Sequence, residues 1–361
     1  MAKKQQPVPA SGAAGPKPAP SKPDRLMRAV VLAWIVAGAV LLMTLFKAMK
    51  AIGLFSFAGA VSPGLCHAIP LAGPGDLAYE AKNRTLFIAA AKTDAPAAGD
   101  GIYALTPGSD KPVKLAGTGS DFHPTALSIG YNADGAPSLT AVNRHRDGAV
   151  SVEVYTVLYD ARGAALRSDS SVTGGLARRA GGIAALGNGR FYLAANPTHS
   201  DFMAAADRWL LLGRADLLFF NGQMFREAVN GLSDPSAVAV SPDGSRLFVA
   251  SRGERRLLAL SRDIYTGTLT EKDSLSLPMR PERMSVDANG MLWIAGPTRL
   301  PSLSQDSTVV RVVVGADGKP VSQETVYAGD GIKDATAVVK TDGHLFIGSS
   351  HDDKLLDCAV K

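Results

Sequence analysis

The chain has 361 residues, 46% of them hydrophobic and 20% charged, with two cysteines and a formal net charge of +5. The first fifty residues carry eight Lys and Arg and one acid, Asp24, which leaves 30 basic residues against 32 acidic ones beyond them. The basic balance belongs to the amino terminus, so nothing in the remainder favours binding to nucleic acid.

Residues 1–28 are rich in Pro, Ala and Lys without apolar periodicity, which predicts a disordered tail. Ala29 to Phe46 is an uncharged apolar stretch of 18 residues, just long enough to cross a bilayer as a helix. Lys3, Lys4, Lys17, Lys22, Arg25 and Arg28 precede it, and only Lys47 and Lys50 follow closely. This asymmetry predicts a single pass through the inner membrane, tail in the cytoplasm, with the rest in the periplasm or outside. A cleaved signal peptide is the competing reading; against it stand the long leader and the lysines where cleavage would fall. Residues 47–65 form a membrane-proximal linker, in which Ala51–Val61 either continues the helix or lies on the membrane surface.

From residue 66 to 361 one unit recurs about every 50 residues, the period of a propeller blade. A short strand-like run, a polar turn and a second apolar run appear six times. The turns are Lys82-Asn83-Arg84, Asn132-Ala133-Asp134-Gly135, Gly187-Asn188-Gly189, Pro242-Asp243-Gly244, Asp287-Ala288-Asn289-Gly290 and Thr341-Asp342-Gly343. Asn-Gly and Asp-Gly accept the positive φ of tight hairpin turns. A lone hairpin cannot bury its apolar face, so six units predict an all-β, six-bladed propeller; a β-sandwich has no reason to repeat at this period. Ser200–Leu212, with Phe202, Met203 and Trp209, predicts a short inserted amphipathic helix. It would rest on the bilayer, cover the channel or cap a blade edge. Cys66 and Cys358 flank the whole array; they predict a disulfide in an oxidising compartment, or else two unpaired buried thiols.

Aligned on the turns, the inner strands begin at Gly75-Asp76, Thr125-Ala126, Gly181-Gly182, Ser236-Ala237, Glu282-Arg283 and Ala335-Thr336. Most of these are small, as a crowded axis requires. Asp76, Glu282 and Arg283, with Asp334 just upstream, are not. Charges on a narrow axis must be paired or bound to something, so they form either a plug of salt bridges or a site. Elsewhere the six histidines show no zinc-ligand spacing, and nucleophile elbow, P-loop and dinucleotide fingerprint are all missing. His123 is the histidine to test as a general base, the other reading being a rim histidine with no role.

Several segments together resemble the paraoxonase and arylesterase family of six-bladed propellers, relatives of the gluconolactonase, regucalcin and strictosidine-synthase-like propellers. They are Cys66, Gly73-Pro74-Gly75-Asp76-Leu77, Phe122-His123-Pro124-Thr125-Ala126-Leu127-Ser128, Ala141-Val142-Asn143, Val240-Ser241-Pro242-Asp243-Gly244, Met284-Ser285-Val286-Asp287 with Leu292-Trp293, and Ile347-Gly348 ahead of Cys358. The resemblance implies a calcium ion at the channel mouth that polarises a lactone or aryl ester, and a histidine pair that activates water. Carried over by position, the family's paired acids become Gly75 and Asp76, its calcium-binding asparagines become Gly181 and Ser236, and its Asp-Asn pair becomes Glu282 and Arg283. Its first histidine falls on Thr125, two residues after His123, and its second near Arg144 or His145.

Calcium takes six to eight oxygens. Only Asp76, Glu282, Ser236 and the Leu127 carbonyl remain as donors, and Arg283 puts a permanent positive charge where the ion would sit. Calcium is therefore not expected at that position, with Asp76 and Glu282 the only weak metal candidates. The leading expectation is a membrane-anchored ester or lactone hydrolase, with Glu282 and His123 catalytic and Asp76, Thr125, Ser236, Arg283 and Asp334 binding. The alternatives are a non-catalytic propeller that binds a small molecule, lipid or partner protein, and a metal-independent strictosidine-synthase-like enzyme with Glu282 as acid–base group.

Overall fold

All six predicted turns join the first two strands of a sheet. The computed structural model describes residues 25–52, 62, 64–92, 99–173, 180–195, 215–298 and 306–360. Among them are one helix, α1 (Arg25–Ile52), and six four-stranded antiparallel sheets. The segment Ser200–Leu212, read as an inserted helix, lies outside the described residues, as do the first 24 residues of the tail and most of the linker.

The chain enters the ring through β1 (Cys66–Pro70). Blade one is β2 (Pro74–Glu80), β3 (Thr85–Ala90), β4 (Gly101–Leu105) and β5 (Val113–Lys114); blade two is β6 (Pro124–Tyr131), β7 (Pro137–Arg144), β8 (Val150–Asp160) and β9 (Gly163–Val172). Blade three is β10 (Ala180–Gly187), β11 (Arg190–Ala195), β12 (Ala215–Phe220) and β13 (Phe225–Leu232). Blade four is β14 (Pro235–Val240), β15 (Arg246–Ser251), β16 (Arg256–Arg262) and β17 (Leu269–Ser276). Blade five is β18 (Arg283–Val286), β19 (Leu292–Pro297), β20 (Ser307–Val314) and β21 (Pro320–Gly329). Blade six is β22 (Ala337–Lys340), β23 (His344–Gly348) and β24 (Lys354–Ala359), completed on its outer edge by β1. The first strand of each blade packs on the first strand of the next, and β22 packs back on β2, so the ring is closed.

Blade strands are apolar on both faces because each blade is a middle layer between two others. In β3, Leu86 and Ile88 join the cluster shared with blade six, whereas Phe87 and Ala89 join the cluster shared with blade two. Side chains alternate across a strand, so a strand covered on both sides reads as a continuous apolar run. The core is accordingly divided into six wedges, one at every blade interface. The turns do what their composition requires: Asn188 and Gly189, between β10 and β11, have φ of +53° and +68°.

Closure is covalent as well as hydrogen-bonded. Cys66 of β1 lies opposite Cys358 of β24 and is joined to it by a disulfide that closes a loop of 292 residues. Helix α1 is longer than the apolar stretch that predicts it. It starts at Arg25 and runs to Ile52, because the flanking Leu26, Met27, Lys47 and Met49 are good helix formers. Within it, Met27–Lys47 is long and apolar enough to cross a membrane, with a mean hydropathy of 2.6. Its Thr44 hydroxyl donates back to the Leu41 and Val40 carbonyls at 2.8 and 3.0 Å, as a hydroxyl in an apolar setting should.

Candidate active site at the propeller hub

Where an inner strand begins, its ladder carries an extra residue. Pro74 pairs with Ala90 and Asp76 with Ala89, which leaves Gly75 bulged; Thr125 and Ser236 are bulged in the same way in blades two and four. In blade five, Glu282 donates its amide to Ala295, which is also the ladder partner of Arg283, so two residues again face one. A bulge takes its carbonyl out of the ladder. The carbonyls of Gly75, Thr125, Ser236 and Glu282 therefore need other donors, and they find them at the hub.

Arg283 supplies most of these donors. Its Nη1 donates to the Ser236 and Glu282 carbonyls at 2.9 Å each, and its Nη2 to the Thr125 carbonyl at 2.8 Å. Its Nε lies 3.5 Å from Asp76 Oδ2. The Thr336 hydroxyl donates to the Gly75 carbonyl at 2.8 Å. Asp76 is 6% exposed and accepts from the Leu77 and Leu127 amides at 2.9 and 2.8 Å. Burial lifts its carboxyl to about 6, against the pull of Arg283 and of the two amides. The Ser236 hydroxyl is spent on the Pro281 carbonyl at 2.6 Å.

Calcium does not fit this hub. The carbonyls and the carboxylate that would surround an ion are already held by a guanidinium, which cannot give up its charge. Among the described residues no group of three or more His, Cys, Asp and Glu side chains is placed to hold a metal.

A second group of charges stands beside Arg283. Glu282 Oε2 lies 2.9 Å from Arg252 Nη2, and Asp234 Oδ2 lies 3.9 Å from Arg252 Nε. Asp334 is 7% exposed with Oδ1 buried and without a hydrogen bond. Burial and the nearby Glu282 and Asp306 carboxylates hold it above the ordinary carboxylate range, against the attraction of His351.

The third group lies at the start of β6. His123 is 6% exposed, and its Nδ1 is 2.7 Å from Asp100 Oδ2, whose side chain is equally buried. Its Nε2 is buried and lies 3.2 Å from Asp121 Oδ1, an ion-pair contact off the direction of a hydrogen bond. The other oxygen of Asp121 is 3.3 Å from His145 Nδ1, and His145 Nε2 is 2.9 Å from the Ser151 hydroxyl. The chain thus has two histidines joined through a carboxylate, where the resemblance implies a histidine pair.

The structure brings Asp76, Thr125, Ser236, Glu282 and Arg283 together, with Asp334 alongside and His123 two residues upstream of Thr125. It moves one residue in register. Thr336 donates its amide to Gly348 and Ala337 pairs with Gly348, as Glu282 and Arg283 do with Ala295. Thr336 therefore stands in the row of Glu282, not of Arg283. The sequence reading passed over Asp100, Asp121, Arg252 and Asp234. A signal for part of this set was present: two residues before the bulged position stand His123, Asp234, Arg280 and Asp334, a row richer in charge than the one behind it.

The model of the arylesterase family matches residues 72–360, and the chain belongs to this family. Among solved structures, a gluconolactonase from Xanthomonas campestris is similar with a TM-score of 0.51 and 16% identity, covering 85% of this chain and 96% of that one. A glucose dehydrogenase matches with a TM-score of 0.52 and 16% identity, over 82% of this chain and 100% of its own. A luciferin-regenerating enzyme matches with a TM-score of 0.50 and 12% identity, over 82% and 95%. At these identities the likeness is one of fold. No match is found among curated proteins.

Proposed function

We propose that the chain is a membrane-anchored, extracytoplasmic hydrolase of carboxylic esters or lactones, with His123 as its base and Arg283, rather than calcium, as its fixed positive charge. The observation that carries this reading is the His123 ring. Its Nδ1 is oriented by a buried carboxylate 2.7 Å away and its Nε2 has no hydrogen bond, the arrangement a base needs to take a proton from water. Asp121, with 41% of its side chain exposed, is the cover that moves aside for that water.

The hydroxide formed attacks the ester carbonyl carbon, and negative charge develops on the carbonyl oxygen. Three of the four Nη hydrogens of Arg283 are donated to carbonyls; the remaining one, on Nη2, stabilises that oxygen. The C–O bond then breaks and the leaving alkoxide takes the proton from His123. Glu282, expected as a catalytic group, has one oxygen committed to Arg252 and in this reading binds substrate. Helix α1 supports the anchor, and the disulfide supports an oxidising compartment.

The test is hydrolysis of phenyl acetate and γ-butyrolactone by the full chain in a nonionic detergent, with chelator or with calcium. The expected result is turnover unchanged by chelator and reduced about 100-fold in His123→Gln. Turnover of neither substrate, or turnover that requires calcium, overturns the reading. Absence of turnover returns the chain to the alternative of a binding propeller.

A further inference from the structure

We infer that the end of the ring opposite the hub is a membrane-facing surface, whose apolar side chains dip into the headgroup layer of a bilayer. The hub then opens away from lipid and takes its ligand from water. The inference rests on the anchoring in the proposed function and not on the hydrolysis.

The starting point is where the ring exposes its large hydrophobic side chains. Met224 lies in the turn between the third and fourth strands of blade three; Ile264 and Tyr265, the latter 89% exposed, lie in the corresponding turn of blade four. Tyr131 ends β6 beside the turn to β7, Leu158 comes just before the turn from β8 to β9, and Val321 just after the turn from β20 to β21. Val113 opens β5 after the connection from β4, and Leu65, 91% exposed, directly precedes β1. Among the described residues these are all the exposed large hydrophobics of the ring, and every one is at the turn end of the strands. None is at the end where the hub lies.

These turns form one surface, because hydrogen bonds between blades join them. The Tyr131 hydroxyl donates to Glu80 at 2.8 Å, the Asn188 amide to the Asn132 side chain at 2.7 Å, the Tyr192 hydroxyl to the Gly267 carbonyl at 2.7 Å and Arg246 Nη2 to the Ala316 carbonyl at 2.8 Å. The chain enters the ring at this end too. The Ala359 amide donates to the Leu65 carbonyl at 3.2 Å, and the Val360 amide to the carbonyl of Gly343, in the first turn of blade six, at 3.0 Å.

Connectivity and chemistry select a bilayer as the occupant. A segment long and apolar enough to cross a membrane ends at Lys47, and only residues 53–65 separate α1 from β1. These thirteen residues reach about 45 Å at full stretch. Turning the hub end to the same bilayer would use about 23 Å of that reach on the height of a seven-residue inner strand such as β2. The apolar side chains are also interspersed with exposed charges of both signs, among them Lys82, Asp134, Asp243 and Lys319. A second protein would need a contiguous, dry apolar patch. Single apolar tips between hydrated charges suit a headgroup layer, where a tyrosine keeps its hydroxyl in water, and charges of both signs suit zwitterionic lipid.

The test places the fluorophore NBD on one added cysteine at a time in the full chain, whose own two cysteines are joined. The protein is inserted into phosphatidylcholine vesicles with or without lipid brominated high in the acyl chains, and flotation with the vesicles checks the anchor. At Tyr265→Cys and at Leu158→Cys, brominated lipid is expected to quench emission about twofold or more, at low and at high salt alike. The two lie in different blades, so one serves if the other does not fold. At Asp147→Cys, exposed in the hub-end loop between β7 and β8, no quenching is expected. Replacing Met224 and Ile264 by serine should reduce the quenching at Leu158→Cys by about half or more, because surface binding scales with the apolar area buried.

Flotation without quenching at either tip, equal quenching at Asp147→Cys, or quenching that ignores the two serines overturns the surface and leaves the anchor. A spectral shift at the tips that grows with protein concentration and not with brominated lipid assigns this end to a second copy and overturns it as well. Absence of flotation removes the anchor and this surface with it, whereas the hydrolase stands or falls on phenyl acetate turnover, whichever end meets the lipid.

Discussion

Replacing Asp76 by asparagine should change how stability depends on pH, and the sign is the opposite of that for a salt-bridged carboxylate. Burial lifts the Asp76 carboxyl from 3.8 to about 6 in the folded protein, in spite of Arg283 at 3.5 Å. Between these two values the folded chain holds a proton that the unfolded chain has released. This contribution to stability is therefore fully present below pH 3.8 and is lost as the pH rises through 6. The gap is about 2 pH units; at about 1.4 kcal/mol per unit, ionising Asp76 costs the fold about 3 kcal/mol at pH 7.5. Asparagine has no such titration and retains an acceptor for the Leu77 or Leu127 amide. Urea unfolding of the full chain in nonionic detergent, from pH 4 to 7.5, gives stability curves for both proteins. Subtracting the two cancels the other carboxylates. The wild type should lose about 2 kcal/mol relative to Asp76→Asn over that range, because part of the full effect is already gone at pH 4. A flat difference, or one of the opposite slope, would refute the claim that desolvation outweighs the guanidinium.

Arg283→Asn removes the cation from the hub and leaves the Thr125, Ser236 and Glu282 carbonyls beside Asp76. Its melting temperature should fall, and millimolar calcium should recover part of the loss while leaving the wild type unchanged; differential scanning fluorimetry with and without chelator checks this. Cys66→Ser opens the covalent ring and should lower stability by up to about 5 kcal/mol in the chain-entropy model, read from urea midpoints of oxidised proteins. Gly187→Ala should destabilise by about 3 kcal/mol or more, because Gly187 has φ of +79° and a Cβ there would lie 1.8 Å from the Tyr131 carbonyl oxygen of the next blade. A shift in melting temperature of only a degree or two in this variant would show that the blade interface gives way easily.

The blades were legible because their signals are local. Asn188-Gly189 and Asp243-Gly244 fix turns by the φ they accept, and Leu86-Phe87-Ile88 is apolar without a break because both faces of β3 are covered. The hub was legible only in part, because its chemistry is assembled across blades. Asp76, Glu282 and Arg283 stand out where neighbouring blades have small residues. Which acceptors Arg283 meets depends instead on bulges in β2, β6 and β14, and a bulge has no composition of its own when the extra residue is Gly75, Thr125 or Ser236. The same one-residue ambiguity put Thr336 one position out. Asp100 was invisible for another reason: it ends a connection between β3 and β4, and only folding brings it to His123, 23 positions along the chain.

The bulges also explain why the hub holds a cation even where calcium does not fit. Carbonyls from blades one, two, four and five converge on one axis because the ring is closed and each of these inner strands carries an extra residue near its start. They must be satisfied whatever the protein does, since unpaired buried carbonyls are costly. In this chain a covalently attached guanidinium meets most of that need, so the requirement for positive charge is built into the sequence and survives chelation. Its chemical consequence follows from valence. A metal can exchange ligands and open a coordination site, whereas Arg283 has five N–H groups in a fixed plane, with Nε turned to Asp76 and three of the rest already donated. In the proposed hydrolase, that leaves one N–H direction for a substrate oxygen.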